Sequence, residues 1–362
     1  MGELRNSLGQ RCCRQSAVEH DVDESDGTEI GVVVELRFDP RQRRRLHAAC
    51  CNGQVEIRVS VQAAPKDGAS WLELARGVEH GGFHALYAAD HPGTAPSPFV
   101  ALGAAAAVTE RVELGTCVVN SGVWEPLALA SAVATLDVLS NGRAVLGVGA
   151  GHTPAEWTTT GRAFPSARQR VSRMIELADV TTRLLDGETT SYRGEYFTLA
   201  DAVLSDPRPV RDHVPLLVGG NGGRVLRFAG READIVGITG LGNTLADGHS
   251  HGVDWSPDAV RRTVETVRSA SGHRDRRPEL EALVQMVVVT DDAAGSARDL
   301  VSFVEGATVE DLLHSPFAWI GTVEEIATKL REGAAALGIR RYVIRPSAMP
   351  DVRLILDALA GG

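Results

Sequence analysis

Polar side chains with proton-handling or hydrogen-bonding chemistry follow directly on short apolar runs along the second part of this chain: Gln62, the adjacent Asp90 and His91, Asn120 with Ser121, His152, Asn221 and Thr239. A neutral imidazole donates at one nitrogen and accepts at the other, so His91 and His152 are suited to moving a proton near neutral pH. Side-chain amides can orient a planar ring. Taken singly, a polar residue at a strand end serves most often as a loop cap or a water contact. Convergence of many on one mouth is what points to catalysis. Two glycine-rich stretches, LGVGAGH (146–152) and VGGNGG (218–223), sit where strands pass into helices. Their plain use is tight turning, but a glycine-rich loop opening a helix also presents backbone N–H groups to an anion such as a phosphate.

These residues converge only if the elements carrying them do. From residue 55 onward, short β-branched runs alternate with longer helical patterns, the order of βα units on a parallel sheet. Eight runs are countable, at 57–63, 83–88, 112–119, 144–149, 214–218, 234–238, 283–289 and 342–345. Helices are expected between them at 70–80, 98–109, 127–138, 167–185, 224–231, 257–271, 294–305 and 323–337. Eight parallel strands favour closure into a (β/α)8 TIM barrel, with the active site at the C-terminal ends of the strands. The rival is a doubly wound nicotinamide-binding sheet, and neither glycine-rich stretch matches its GxGxxG spacing. Two connections exceed a plain crossover: 153–165, followed later by a hairpin-like SYRGEYFTL at 191–199, and 241–255. Long insertions of this kind usually carry function; these two are expected to wall the substrate site.

Residues 1–54 differ from the rest. They hold an acidic stretch, an arginine cluster (Arg41, Arg43, Arg44, Arg45) and four of the five cysteines, Cys12, Cys13, Cys50 and Cys51. A zinc site with His20 and His47 would call for CxxC-type spacing, which is missing. The expected organisation is a poorly ordered N-terminal extension over 1–54, no bound metal, and a barrel over 55–362.

Composition excludes several functions. A formal charge of -10 opposes a partner bound through many phosphates, so nucleic acid is not expected. No apolar run reaches the ~20 residues of a membrane span, and the first residues lack the apolar core of a signal peptide. A cytoplasmic enzyme is expected.

Five motifs make the chain similar to the luciferase-like monooxygenase family, in particular its deazaflavin-dependent branch: LYAADHPG (86–93), RVELGTCVVN (111–120), ATLDVLSNGRAVLGVGAGH (134–152), PLLVGGNGG (215–223) and READIVGI (231–238). The resemblance implies a (β/α)8 barrel binding coenzyme F420, with FMN as the alternative, and a homodimer. It places His91 beside the reactive ring as proton donor or acceptor, with Asp90 positioning it; in the hydride transfer it implies, His91 or His152 would handle the accompanying proton. Cys117 and Val118 map to a bulge with a non-prolyl cis peptide against the ring. Asn120, Gly149, Ala150 and Gly151 would face the cofactor, and Gly220, Asn221 and Gly222 would cradle its phosphate. Some deazaflavin dehydrogenases carry a catalytic glutamate where His152 stands, so their sugar-phosphate oxidation does not transfer. A tryptophan that some members carry after the Asp-His pair is replaced by Pro92 and Gly93. The activity implied is hydride transfer between F420 and a small organic substrate; the alternatives are an FMN-dependent monooxygenase using molecular oxygen and a non-catalytic flavin-binding barrel subunit.

Overall fold

A computed structural model describes residues 56–244, 251–304 and 306–361. Eight parallel strand positions close on themselves. In chain order the strands are β1 (Arg58–Ala63), β2 (Ala85–Ala88), β3 (Glu113–Thr116) continued by β4 (Val119–Asn120), β5 (Ala144–Gly149), β8 (Leu216–Gly219), β9 (Ile235–Ile238), β12 (Glu279–Leu283) and β15 (Ile339–Ile344). They pair in the order β3-β2-β1-β15-β12-β9-β8-β5, and a β3–β5 pairing shuts the ring. The barrel inferred from the sequence is the observed fold. Outside it lie two antiparallel hairpins, β6 (Thr190–Arg193) with β7 (Thr198–Ala202) and β10 (Leu241–Thr244) with β11 (His251–Val253), and a parallel pair, β13 (Met286–Val289) with β14 (Ala318–Gly321). The expectations for residues 1–54 lie outside the described residues.

The helices are α1 (Gly68–His80), α2 (Pro98–Ala106), α3 (Pro126–Leu139), α4 (Ala155–Thr158), α5 (Ala167–Leu185), α6 (Gly223–Glu232), α7 (Pro257–Ala270), α8 (Ala293–Val301), α9 (Val309–His314), α10 (Val323–Leu337) and α11 (Met349–Gly361). Several carry their boundaries in local chemistry. Ser166 and Gln169 form a capping box at the start of α5, Thr322 and Glu325 another at α10, and Gly338, at φ 71°, ends α10 in a left-handed turn.

Two expected strands are corrected by the structure. The run 112–119 is not continuous: it breaks between Thr116 and Val119, where the peptide joining Cys117 to Val118 is cis. The run 283–289 is displaced. Its apolar residues Met286–Val289 form β13, which pairs with β14 outside the barrel, while the barrel strand is the preceding ELEAL of β12. That segment reads as polar because Glu281 points inward, into a charged layer.

Outward residues such as Val59, Val61, Leu114, Leu146, Val218 and Val236 pack under the helices in the main core. Ala85, Tyr87, Val145, Leu217, Ile235, Leu283 and Val343 fill the interior of the ring. Below them the floor is ionic. Arg341, 2% exposed, donates to Glu281 (Nε–Oε2 3.0 Å), Glu279 (3.2 Å), Glu113 (3.1 Å) and the Tyr87 hydroxyl (3.0 Å). Burial pushes the Glu281 carboxyl up, with Arg341 opposing that shift. An interior cation costs heavily unless its donors are all used, and here they cross-link four strands.

Arg341→Met should therefore cost about 3–5 kcal/mol, the usual penalty for removing one partner of a buried ion pair. Urea unfolding followed by circular dichroism measures it; an unchanged midpoint would mean the floor is not holding the strands together.

Candidate active site

At the opposite, C-terminal end of the ring the bulge between β3 and β4 pushes the backbone of Cys117 and Val118 inward, where both side chains pack on the inner core. Gln62 at the end of β1 donates its Nε2 to the Cys117 carbonyl, holding the bulge from the neighbouring side. Val118 lies over glycines: a Cβ added at Gly149 would run into its side chain, and one at Gly219 would stand 3.0 Å from it. The glycines on β5 and β8 thus leave a shelf topped by the Val118 methyls. Burial pushes the Cys117 thiol up to about 12, so it is no nucleophile near neutral pH.

Beside the shelf stands the proton-handling group. His91 Nδ1 lies 2.7 Å from Glu156 Oε1, and Asn120 Nδ2 donates to Glu156 Oε2. Glu156 is buried, 5% exposed, whereas His91 keeps about a third of its side chain open to solvent. A carboxylate only accepts, so the hydrogen sits on Nδ1 and Nε2 is left to exchange a proton. The Glu156 hydrogen bond raises the His91 pKa above its usual value; burial opposes it, and the charges of Glu156 and Asp90 add to it. The His152 ring meets the His91 ring edge to face at 5.6 Å. Both histidines are thus brought together.

Asp90 takes a different place from the one expected. Its Oδ2 accepts from the Asn120 backbone N–H (3.1 Å) and Trp124 Nε1 (2.8 Å), and burial pushes its carboxyl up despite them. It ties β2 to β4, and the hydrogen bond that orients His91 comes from Glu156. Glu156 and Trp124 were missed in the sequence. For Glu156 the available signal was an acidic residue in the long insertion after β5, four positions beyond His152.

That insertion is fastened to the mouth. Arg162 stacks over Trp157 (4.7 Å) and donates to the Gly122 carbonyl (2.6 Å), while Arg170 donates to Gly151 (2.8 Å) and Pro165 (2.5 Å) and stacks over Phe164 (4.2 Å). Gly151, at φ 71°, bends the chain where a side chain would strike the Asn120 amide. Ala150, between it and Gly149, is half-buried in the same turn.

Across the mouth, Gly220, Asn221 and Gly222 lead into α6. Asn221 is spent internally: its Nδ2 donates to Thr239 Oγ1 (2.7 Å) and the Leu241 carbonyl (2.5 Å), and its Oδ1 accepts from Thr239 N (3.2 Å). It braces the loops after β8 and β9. The groups here that could bind an anion are the backbone N–H groups at the start of α6, which has no capping side chain. A cleft of ≈ 360 Å³ opens beside this turn, between α6, α7 and the loop after β9.

A planar ring backed by an apolar shelf, a phosphate at a helix N-terminus and a proton carrier beside the ring fit this arrangement. The glycines at 149 and 219 leave room that a Cβ would fill. Ser121 Oγ and Thr153 Oγ1 are buried without partners near the same strand ends. Among the described residues no cluster of three or more His, Cys, Asp or Glu could hold a metal.

Residues 53–312 match the family described as luciferase-like monooxygenase. An F420-dependent glucose-6-phosphate dehydrogenase from Amycolatopsis mediterranei is 32% identical over 216 residues, 57% of this chain and 63% of that protein. The chain spans about three fifths of the length of the first such curated relatives. Among solved structures, the coenzyme F420-dependent tetrahydromethanopterin reductase of Methanopyrus kandleri superposes with a TM-score of 0.66 at 19% identity, over 84% of this chain and 99% of that one. The oxygenating constituent of 3,6-diketocamphane monooxygenase from Pseudomonas putida, in complex with FMN, gives 0.65 at 15% identity, over 84% and 98%. At such identities the likeness is one of fold, and that fold serves both cofactors.

Glu156→Gln should lower the His91 pKa, read by NMR titration of its imidazole in the apoprotein. Because the folded value is raised, the stability His91 contributes is fully present below the unfolded pKa of about 6.5 and fades as pH rises through the folded one. The variant should lose that low-pH increment; an unshifted His91 titration would remove Glu156 from its role.

Proposed function

The chain belongs to the luciferase-like monooxygenase family, and from that premise we propose that it is an F420-dependent oxidoreductase acting on a small organic substrate. The observation that carries this reading is the His91–Glu156 pair standing beside the Val118 shelf. The F420-dependent curated relatives favour the deazaflavin over FMN. Bound at the mouth, the deazaflavin would supply a carbon that gives or takes a hydride, whereas FMN would supply oxygen chemistry.

The chain's own residues would act around that ring. Val118 backs one face, and the N-terminus of α6 after Gly220, Asn221 and Gly222 holds the phosphate. Gly149, Ala150, Gly151 and Asn120 shape the edge nearest the insertion. His91 exchanges the proton that accompanies the hydride at Nε2, with Glu156 balancing the imidazolium and His152 next in line. The insertion, pinned by Arg162 and Arg170, keeps water from the ring. Glucose 6-phosphate is not the proposed substrate, because His152 stands where the resemblance expects a catalytic glutamate.

We further propose a cytoplasmic homodimer. Among the described residues no helix is long and apolar enough to cross a membrane. The dimer reading is supported by α2 and α3, which pack side by side. Helix α2 has no charged residue, and the single one on α3, Asp137, is buried under Arg211. Yet Val100 (75% exposed), Leu139 (58%), Leu127 and Val138 face outward. Uncharged faces of this kind ordinarily meet a partner.

Titrating the apoprotein with F420 and with FMN, oxidised and reduced, while following Trp124 and Trp157 fluorescence should show tight F420 and weak FMN binding. The reverse order would assign an oxygen-dependent monooxygenase. His91→Ala should retain F420 binding and lose about 10²–10⁴ in turnover. Val100→Glu with Leu127→Glu should halve the mass in sedimentation equilibrium; a wild-type monomer at all concentrations would end the dimer proposal.

A further inference from the structure

Arg341 on β15 and Arg345 just after it have opposite surroundings. Alternation along the strand sends Tyr342 and Ile344 out to the helices and Arg341 and Val343 into the ring. Arg345 follows with extended backbone (φ -90°, ψ 155°), so it takes the next inward position, at the mouth. Arg341 has three carboxylates. Arg345 has none: among the described residues its side chain makes no hydrogen bond, ion pair or ring contact, while remaining accessible to solvent. Burial pulls its pKa down, and the nearby Cys117 on the bulge opposes that shift. A guanidinium stays charged at any physiological pH, so a cation held partly out of water and facing no acid favours an incoming anion.

Its neighbour lacks the complementary partner. β1 and β15 pair Arg58 with Arg341 and Ser60 with Val343. Continuing that register brings Gln62 level with Arg345. Gln62 is 8% exposed; its Nε2 is spent on the Cys117 carbonyl, and its Oε1 is buried with no donor. The mouth therefore offers a planar fork of donors just past β15 next to an empty acceptor on β1, while the histidine pair follows the strand ends of β2 and β5.

We propose that Arg345 and Gln62 form the substrate's anchoring subsite, which takes a small carboxylate bearing a hydroxyl or amino group on the adjacent carbon. Arg345 forks onto the carboxylate oxygens, and Gln62 Oε1 accepts from the neighbouring O–H or N–H. This rests on the mouth being where substrate meets the ring, and it adds the substrate's class. Arg345 supplies no proton and no electrons; it holds one end of the substrate so that the other faces the shelf.

The test uses the full chain without cofactor, so that a failure to bind F420 and a failure of this subsite are separate results. Lactate, its neutral isostere lactamide, acetate and inorganic phosphate are titrated against tryptophan fluorescence for wild type, Arg345→Gln and Arg345→Lys, with melting curves confirming that the variants fold. Lactate should bind at least about tenfold more tightly than lactamide, the smallest advantage a charge-assisted hydrogen bond would give, and more tightly than acetate. Arg345→Gln should erase the advantage, and Arg345→Lys, which keeps the charge but not the fork, should fall between. Equal lactate and lactamide binding, or a preference that survives Arg345→Gln, overturns the subsite. An Arg345-dependent preference for phosphate over lactate overturns the carboxylate.

Discussion

A closed ring of parallel strands has an interior where the backbone is already fully paired and water has little access. Each polar group sent inward must therefore find its partners among other side chains, or wait for a ligand. This constraint organises the molecule from floor to mouth. At the floor, Arg341 uses its donors on Glu281, Glu279, Glu113 and Tyr87, and four strands are joined through one guanidinium. A layer of Val145, Leu217, Ile235, Leu283 and Val343 separates floor from mouth. At the mouth, Gln62 Oε1, Ser121 Oγ and Thr153 Oγ1 lack partners. The ionic cross-links sit at one end of the ring and the candidate site at the other, with an apolar layer between them.

The charged floor also explains which parts of the fold were legible. Strands whose inward residues are small or apolar, such as AVLGVG at β5 and LLVG at β8, declare themselves by β-branched and leucine-rich runs. ELEAL at β12 does not, because its inward Glu281 is apolar-compatible only once Arg341 is opposite it, a pairing 60 residues away in sequence. The nearby MVVV run then attracts the strand assignment, although it pairs with AWIG outside the ring. Helices α5 and α10 were legible to the residue because Ser166, Thr322 and Gly338 punctuate them locally. The bulge at Cys117 and Val118 came from resemblance, since nothing in periodicity marks it.

The site was legible as a set of strand ends and illegible as a set of bonds. His91, His152, Asn120 and the glycines stand at or just past strand ends at one end of the ring. What could not be read is which carboxylate serves which partner. Asp90 is adjacent to His91 in sequence, yet its oxygen turns to Trp124 and the Asn120 backbone, whereas Glu156 reaches His91 from 65 residues away. Adjacent residues on an extended segment point to opposite sides, so sequence adjacency is a poor guide to contact there.

Glu156 does not belong to the rigid ring. It lies on the short α4, inside the insertion that Arg162 and Arg170 fasten over the strand ends. The carboxylate that orients His91 is therefore carried by the same segment that covers it. Lifting that segment would withdraw the oxygen from His91 Nδ1 and release Asn120 as well, so uncovering the mouth and disarming the imidazole are a single mechanical event. An open barrel would then hold an ordinary surface histidine, and the tuned one would exist only while the mouth is covered.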